Sequence, residues 1–178
     1  MSDVRFLQLC RAGDAQLERL LAAGAAPEDA ALGGWEWRGY NTPPFTALLG
    51  IRKFIKGFFD AGAGLEGYNI PAKQNGLDGA WLHRPRPQAP ARFGFYRVRR
   101  PRAGERDSLY ADALLLDYGA SARNASYRPE RVLRDYLVQP FPDDRDLLLG
   151  KAYLAFGPLR VRSNFFVLGR LRPAPWLP

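Results

Sequence analysis

Acidic side chains are the first candidates for chemistry in this sequence, and they are few. Asp112 and Asp117 fall on opposite faces if their segment is a strand, because strand side chains alternate. Asp143, Asp144 and Asp146 crowd a single predicted turn. General acid–base catalysis needs a base and an orienting partner within hydrogen-bond reach, and no spacing here forces that arrangement. The sequence therefore leaves any catalytic residue unknown.

Two further carboxylates lie on predicted strands. Asp135 stands between Arg134 and Tyr136, a setting typical of a cross-strand ion pair. Glu36 would face a cavity only if its side of the strand pointed inward, which is the opposite of the assignment made below for this strand. A buried carboxylate with a raised pKa in such a cavity would be the signature of a cofactor-free enzyme, for example an isomerase or a hydrolase.

Metal and nucleophile motifs are absent from the sequence. Cys10 is the only cysteine and His83 the only histidine, so an internal disulfide and a zinc site built on several thiols are excluded. Neither a Gly-x-Ser-x-Gly elbow nor a phosphate-binding glycine loop occurs. We therefore predict no metal and no cofactor, and we interpret Cys10 as a small apolar residue of the first helix.

The cations are numerous and are mostly arginine. The formal net charge is +8 and 26 residues are Lys or Arg, which favours anionic lipid, nucleic acid or phosphorylated ligands as partners; a coding bias toward arginine explains the composition equally well. Two clusters are candidate anion surfaces: Arg52, Lys53 and Lys56 for a membrane, and Arg97, Arg99 and Arg100 for nucleic acid. Nucleic acid is the less favoured partner, because prolines interrupt the second cluster and no RNA-binding motif accompanies it.

The element that would position a site is the strand that carries Trp35 and Trp37. One residue separates the two tryptophans, so both rings enter the same interior, while Glu36, Arg38 and Tyr40 occupy the other face. The run 45–60 follows, with apolar residues in one arc at helical spacing and Arg52, Lys53 and Lys56 opposite. It predicts an amphipathic helix that covers the sheet or forms a lid.

A series of further strands is predicted from alternating apolar runs separated by turn residues, at 80–84, 92–99, 109–118, 132–139, 147–156 and 159–172. This spacing is typical of an antiparallel sheet that curls or closes. The fold class is therefore α+β, mainly β: a curved sheet or a barrel of about eight strands. It forms a single domain with a helical segment 1–33, a barrel 34–172 that contains the inserted helix 45–60, and a Pro-rich tail 173–178.

The motif Gly-Tyr-Asn-x-Pro occurs twice, at 39–43 and 67–71. Equivalent strand ends would place Tyr40, Asn41 and Tyr68 at the mouth of a cavity, and turn formation is the alternative role of the same residues. The first residues lack the pattern of a signal peptide, and no apolar run reaches the ~20 residues that a membrane span requires. These features predict a cytoplasmic protein.

The strand of tryptophans after an N-terminal helical segment resembles the first strand of the lipocalin and calycin group of barrels. Gly33 or Gly34, with Trp35 and Trp37, carries the likeness. In that group a cation from the last strand covers the first-strand tryptophan, a role that the resemblance gives to Arg170 or Arg172 through a cation–π contact. The likeness implies a barrel with an apolar cavity. Haem barrels similar to nitrobindin need an axial histidine, for which His83 is the only candidate.

Small residues among large ones on the predicted inward faces leave room for a ligand. The inward sets are Trp35 and Trp37; Leu109, Ala111, Ala113 and Leu115; and Phe165, Val167 and Gly169. The leading hypothesis is non-enzymatic binding of a hydrophobic or lipid-like molecule by Trp35, Trp37, Tyr40, Asn41, Phe54, Phe58, Tyr68 and Arg170. A charge-driven membrane or nucleic-acid adaptor and a cofactor-free enzyme are the alternatives, and the sequence leaves the oligomeric state open.

Overall fold

Eight antiparallel strands close into a barrel in chain order. The computed structural model describes residues 2–84 and 90–175. The strands are β1 Trp35–Asn41, β2 Lys53–Asp60, β3 Leu65–Pro71, β4 Phe93–Arg99, β5 Leu114–Asp117, β6 Leu133–Val138, β7 Leu147–Phe156 and β8 Leu159–Pro173. The barrel closes where β1 pairs with β8, from Asn41 opposite Phe166 to Trp35 opposite Pro173. The predicted barrel is thus confirmed; the tail is described only as far as residue 175.

The helices are short, and the first two cover one side of the barrel. They are α1 Ser2–Arg11, α2 Asp14–Ala23, α3 Asp29–Leu32 and α4 Phe45–Leu48, with a 3₁₀ helix at Pro129–Val132. α1 packs on β8 and α2 packs on β7, which buries Phe6, Cys10 and Leu17. Burial raises the pKa of the Cys10 thiol to about 12, as expected of a small core residue. None of the described helices has the length and apolarity needed to cross a bilayer.

Two apolar clusters lie on opposite sides of the barrel wall. The inner cluster includes Trp37, Phe58, Tyr96, Leu116, Leu148 and Leu168. The outer cluster lies between the wall and its cover of helices and loops, and includes Phe6, Leu17, Ile55, Tyr68, Leu115, Phe165 and Val167. Many strands are covered on both faces, so apolar residues occur at both odd and even positions. The alternation of apolar and polar residues then no longer indicates which side chains point into the barrel.

The helix predicted for 45–60 is wrong. Only α4 is helical in this run, and Gly50 follows it with a φ of +66°, a left-handed conformation that favours glycine. Lys53–Asp60 is the second strand instead. Its inward residues Phe54, Lys56 and Phe58 and its outward residues Ile55 and Phe59 are all buried or nearly so. Apolar residues on both faces therefore imitate a helical arc.

Two of the predicted inward faces are reversed. Ala113 and Leu115 belong to the outer cluster, and so do Phe165 and Val167. The side chains that point inward are those of Leu114, Leu116, Phe166 and Leu168. The cover of α1 and α2 makes the outer face as apolar as the lumen, which explains the error. The run 109–118 is a strand only at 114–117, and 80–84 contributes a single bridge, from His83 to Ala72.

Aromatic rings lie over glycines of the neighbouring strands. Gly39 faces Phe54, Gly67 faces Tyr96 and Gly150 faces Phe166, each as a directly opposed pair. A Cβ at Gly150 would lie 2.1 Å from a ring carbon of Phe166. A ring laid flat over a glycine fills the lumen without forcing the strands apart.

We expect Gly150→Ala to destabilise the protein by about 1–3 kcal/mol, because the new methyl group cannot be accommodated unless the Phe166 ring moves. Urea unfolding followed by circular dichroism measures the change. Gly13→Ala is the control: a Cβ there meets nothing within 4 Å, so its effect should stay within about 0.5 kcal/mol. Equal stability of the two variants would contradict the packing argument.

Candidate functional site

One half of the barrel is an open cavity of about 450 Å³. Its rim is formed by the loops between β1 and β2, β3 and β4, and β5 and β6, through Leu49, Ile51, Arg84 and Glu130 among others. Phe54, Leu133 and Phe166 form apolar walls. The cavity is large enough for a small organic molecule, because ligand pockets usually span ~300–1,000 Å³.

The other half of the barrel is filled by rings. Phe58 and Tyr96 meet edge to face at 5.6 Å, and Tyr96 lies 5.1 Å from Tyr118. Trp37 packs in the same inner cluster and is fully buried. Toward the open end, Asn41, Asn69 and Ala152 are small or polar inward residues that lie among the larger wall residues. These smaller residues leave the space that forms the cavity.

A buried polar cluster forms the floor where the two halves meet. The Lys56 ammonium lies 3.0 Å from Oδ2 of Asp135, and it donates to the Tyr118 hydroxyl at 2.5 Å and to Oδ1 of Asn69 at 3.0 Å. Tyr118 in turn donates to Oδ2 of Asp135 at 3.0 Å. Asn69 donates to the carbonyl of Gly94 at 2.9 Å and to the Tyr118 hydroxyl at 3.2 Å. The floor is thus a connected hydrogen-bond network from four strands or their ends.

Burial controls the protonation chemistry of this floor. Lys56 is 2% exposed, and burial lowers the pKa of its ammonium while the charge of Asp135 opposes that shift. Burial raises the pKa of the Tyr118 hydroxyl well above its ordinary value, and the Asp135 carboxylate raises it further. Tyr118 is therefore a protonated phenol that can donate hydrogen bonds.

Aromatic faces surround the Lys56 ammonium. Its Nζ lies 4.7 Å from the ring centre of Tyr96 and 5.3 Å from that of Phe166. Ring quadrupoles attract a cation that has lost its water. These contacts and the Asp135 carboxylate favour the charged form of the lysine against the cost of burial.

The predicted ligand residues divide between three places. Asn41 and Phe54 line the cavity. Trp37 and Phe58 are inside the barrel but lie in its filled half. Tyr40 and Tyr68 point away from the lumen into the outer cluster. The two copies of the Gly-Tyr-Asn-x-Pro motif thus place their asparagines at the cavity and their tyrosines outside, because adjacent strand residues face opposite ways.

Arg170 lies over Trp35 and Trp37, with its guanidinium carbon 4.5 Å and 4.9 Å from their ring centres. The predicted contact between a last-strand cation and the first-strand tryptophans is therefore present. Arg170 also donates to Asp146 at 2.5 Å and to the Ala31 carbonyl at 3.1 Å. These contacts seal the filled end of the barrel, so Trp35 and Arg170 lie away from the cavity.

The cationic surface predicted at Arg52, Lys53 and Lys56 does not form. Lys53 and Lys56 are both buried, because the segment that carries them is a barrel strand. The Lys53 ammonium points away from the lumen and donates to Asn75 and to the Gly79 carbonyl, both at 2.6 Å. Arg52 stacks on the Tyr40 ring at 5.0 Å.

The second cationic cluster is largely neutralised. Arg97 pairs with Glu66 at 3.3 Å, and Arg99 pairs with Glu105 at 2.6 Å and with Asp117 at 3.8 Å. Arg97 and Arg100 are exposed, and of the three predicted arginines only Arg100 has no ion pair with any carboxylate in the described ranges.

A second buried carboxylate lies outside the barrel. Glu36 is 0% exposed, with Oε2 at 2.8 Å from Arg172 and 3.5 Å from His83, and Oε1 at 3.1 Å from the Tyr68 hydroxyl. Its direction away from the lumen follows the predicted strand parity. His83 contacts Arg172 in the same cluster, so the single histidine is separated from the cavity by the barrel wall and does not provide an axial ligand there.

Sequence reasoning missed the floor of the cavity, although a signal exists. Lys56 is flanked two residues away on each side by Phe54 and Phe58, and Asp135 by Leu133 and Leu137. An ionic residue between two apolar residues on one strand face is buried with them, and two such residues of opposite charge predict a buried pair.

Comparisons of this chain with family models, curated proteins and solved structures find no match.

We expect Lys56→Met to destabilise the protein by about 3–5 kcal/mol, since it leaves the Asp135 carboxylate buried without a cation. The double variant Lys56→Met/Asp135→Leu should recover most of this loss, because it removes both charges together. Urea midpoints of the single and double variants measure the coupling. Arg97→Met, which breaks an exposed pair with Glu66, is the control and should cost about 0–1 kcal/mol. Additive effects of the two floor substitutions would contradict the coupling.

Proposed function

We propose that this protein binds a small hydrophobic or amphipathic molecule in the open half of its barrel and acts without catalysing a reaction on it. The observation that carries the proposal is the contrast within one cavity of about 450 Å³ between apolar walls and a buried polar floor. Lys56, Asp135, Tyr118 and Asn69 form that floor. A ligand with an apolar body and one polar group matches both parts.

The walls supply the affinity of such a ligand. Each methylene group that leaves water for the space between Phe54, Leu133 and Phe166 would contribute about 0.8 kcal/mol. The polar floor supplies orientation, because a ligand's polar group is stable there only when it replaces the hydrogen bonds it made to water. A fully apolar molecule would leave the floor unsatisfied and would bind less well.

Native mass spectrometry of freshly purified protein, compared with the denatured mass, tests the proposal directly. Additional native mass that is lost on unfolding supports a carried ligand. A bare protein that also fails to take up any added hydrophobic fluorophore would contradict it.

Ala152→Phe should abolish ligand binding by filling the cavity. Ala152 is buried and lines the cavity between Asp135 and Asn164 in the strand pairing. A phenyl group there occupies the ligand space without removing any core side chain, so binding should fall by more than about tenfold while the barrel remains folded. Fluorescence titration with an uncharged naphthylamine probe measures the loss. Ala22→Phe, on an exposed position of α2, is the matched control and should bind like the unmodified protein.

A second candidate function is transient association with a membrane surface, favoured by the segment that leads to the cavity rim. Phe45 and Ile51 are about half exposed, Leu49 is 65% exposed and Leu48 is 91% exposed. Four large apolar side chains exposed within one short segment are unusual for a protein that has no partner for them. The position of Leu49 and Ile51 at the cavity rim would allow a lipid-like ligand to pass between a bilayer and the lumen, and the net charge of +8 favours anionic bilayers.

Replacing Leu48 and Leu49 by Asp should abolish cosedimentation with vesicles of phosphatidylcholine and phosphatidylglycerol, because two charges would have to enter the interface. Both side chains are exposed, so the free energy of unfolding should change little. Val4→Asp, at a position that is 61% exposed on α1, is the control. Equal sedimentation of both variants would contradict a role for the rim segment.

A further inference from the structure

The hydrogen bonds already made at the cavity floor determine which donors and acceptors are still available to a ligand. An ammonium group has three N–H donors, and those of Lys56 are taken by Asp135, Tyr118 and Asn69. The Tyr118 hydroxyl donates to Asp135 and accepts from Lys56 and Asn69. The two amide N–H donors of Asn69 are taken by Gly94 and Tyr118. No donor of this network remains for a ligand.

Acceptors do remain. Oδ2 of Asp135 accepts from Lys56 and Tyr118, whereas Oδ1 of the same carboxylate accepts no hydrogen bond from the described residues 2–84 and 90–175. Asp135 is 4% exposed and lines the cavity. Glu130, at the cavity rim, has a buried Oε2 that is likewise without a partner in the part of the chain that the structure describes. Asp135 thus offers an unused acceptor to the cavity, and Glu130 adds a second carboxylate to its lining.

The cations around the cavity offer no free hydrogen-bond donor at its floor. Lys56 is paired with Asp135. Lys53 contributes only its stem, since its ammonium is held by Asn75 and the Gly79 carbonyl outside the lumen. Arg84 is exposed at the rim. The Lys56–Asp135 pair at the floor is therefore neutral, and of the two charged residues at the rim Arg84 is exposed whereas Glu130 has a buried carboxylate oxygen.

We propose that the ligand's polar group is a hydrogen-bond donor, a primary alcohol or a protonated amine, which enters first and donates to Oδ1 of Asp135 while its hydrocarbon body extends toward Leu49 and Ile51. This inference rests on the proposed ligand-binding function and narrows its ligand class. A protonated amine gains further from the Glu130 carboxylate. A fatty-acid carboxylate is disfavoured at the floor, because it would approach the Asp135 carboxylate without a free donor in a medium of low dielectric constant.

Three ligands of equal chain length test the proposal: decylamine, 1-decanol and decanoate. Each is used to displace the uncharged probe N-phenyl-1-naphthylamine from the 178-residue protein at neutral pH. We expect decylamine and decanol to displace the probe at concentrations at least about tenfold lower than decanoate, the scale of one hydrogen bond to a charged acceptor. Decanoate binding as tightly as decanol overturns the proposal and leaves the cavity function intact. Failure of the probe and of all three ligands to bind overturns the cavity function itself.

Two variants test which residues cause the preference for decylamine and decanol over decanoate. Lys56→Met/Asp135→Leu removes the Asp135 acceptor, so decanol should lose its advantage over decanoate, and decylamine should keep only the gain that it draws from Glu130. Glu130→Gln keeps the shape of the wall and breaks no ion pair among the described residues, and it should weaken decylamine relative to decanol. An unchanged order of affinities in both variants overturns the assignment of the donor site to this floor. Arg84→Ala is the control for an anion held at the rim: if it alone weakens decanoate, the carboxylate binds at the rim and not at the floor, which supports the proposal.

Discussion

The buried ion pair between Lys56 and Asp135 is the constraint that organises the lumen. β2 and β6 stand on opposite sides of an eight-stranded barrel, so a contact of 3.0 Å between their side chains spans the interior. A charge withdrawn from water is tolerated only when a partner and further hydrogen bonds surround it. Tyr118, Asn69 and the ring faces of Tyr96 and Phe166 meet that requirement. The pair also marks the level at which the filled half of the barrel ends and the cavity begins.

A second device, the pairing of glycines with aromatic rings, shapes the lumen in both halves of the barrel. Gly39, Gly67 and Gly150 each lie under a ring from a neighbouring strand. A ring over a glycine occupies lumen volume close to the wall, so several rings fit into a barrel of this size. Phe54 and Phe166 are two of these rings and form walls of the cavity, and space remains beside them where the inward residues are Asn41, Asn69 and Ala152. Ligand space in this barrel is thus created by the sequence of side-chain sizes along the strands.

The distribution of charge differs from what the composition indicates. The protein carries a formal charge of +8, but Arg97 and Arg99 are paired on the surface and Lys53 and Lys56 are buried. Inside the cavity, Lys56 is neutralised by Asp135, and Glu130 and Arg84 lie at the rim. Net charge therefore describes the long-range field of the molecule, whereas the chemistry of the cavity follows from the few ionic groups that the strands turn inward.

The amino-acid sequence by itself determined the class of fold and the inward direction of β1. Turn residues between alternating apolar runs predicted an antiparallel barrel, and the spacing of Trp35 and Trp37 predicted which residues enter the lumen, because these signals are local. The tertiary structure alone decided that 53–60 is a strand, that Phe165 and Val167 face outward, and that Lys56 meets Asp135. The reason is physical: α1, α2 and the loop that carries Trp81 cover the outside of the barrel, which makes both faces of its strands apolar. The alternation of side chains along a strand then no longer shows which of them point inward. The flanking apolar residues mark Lys56 and Asp135 as buried, but only closure of the barrel brings together two residues that are 79 positions apart (135 − 56).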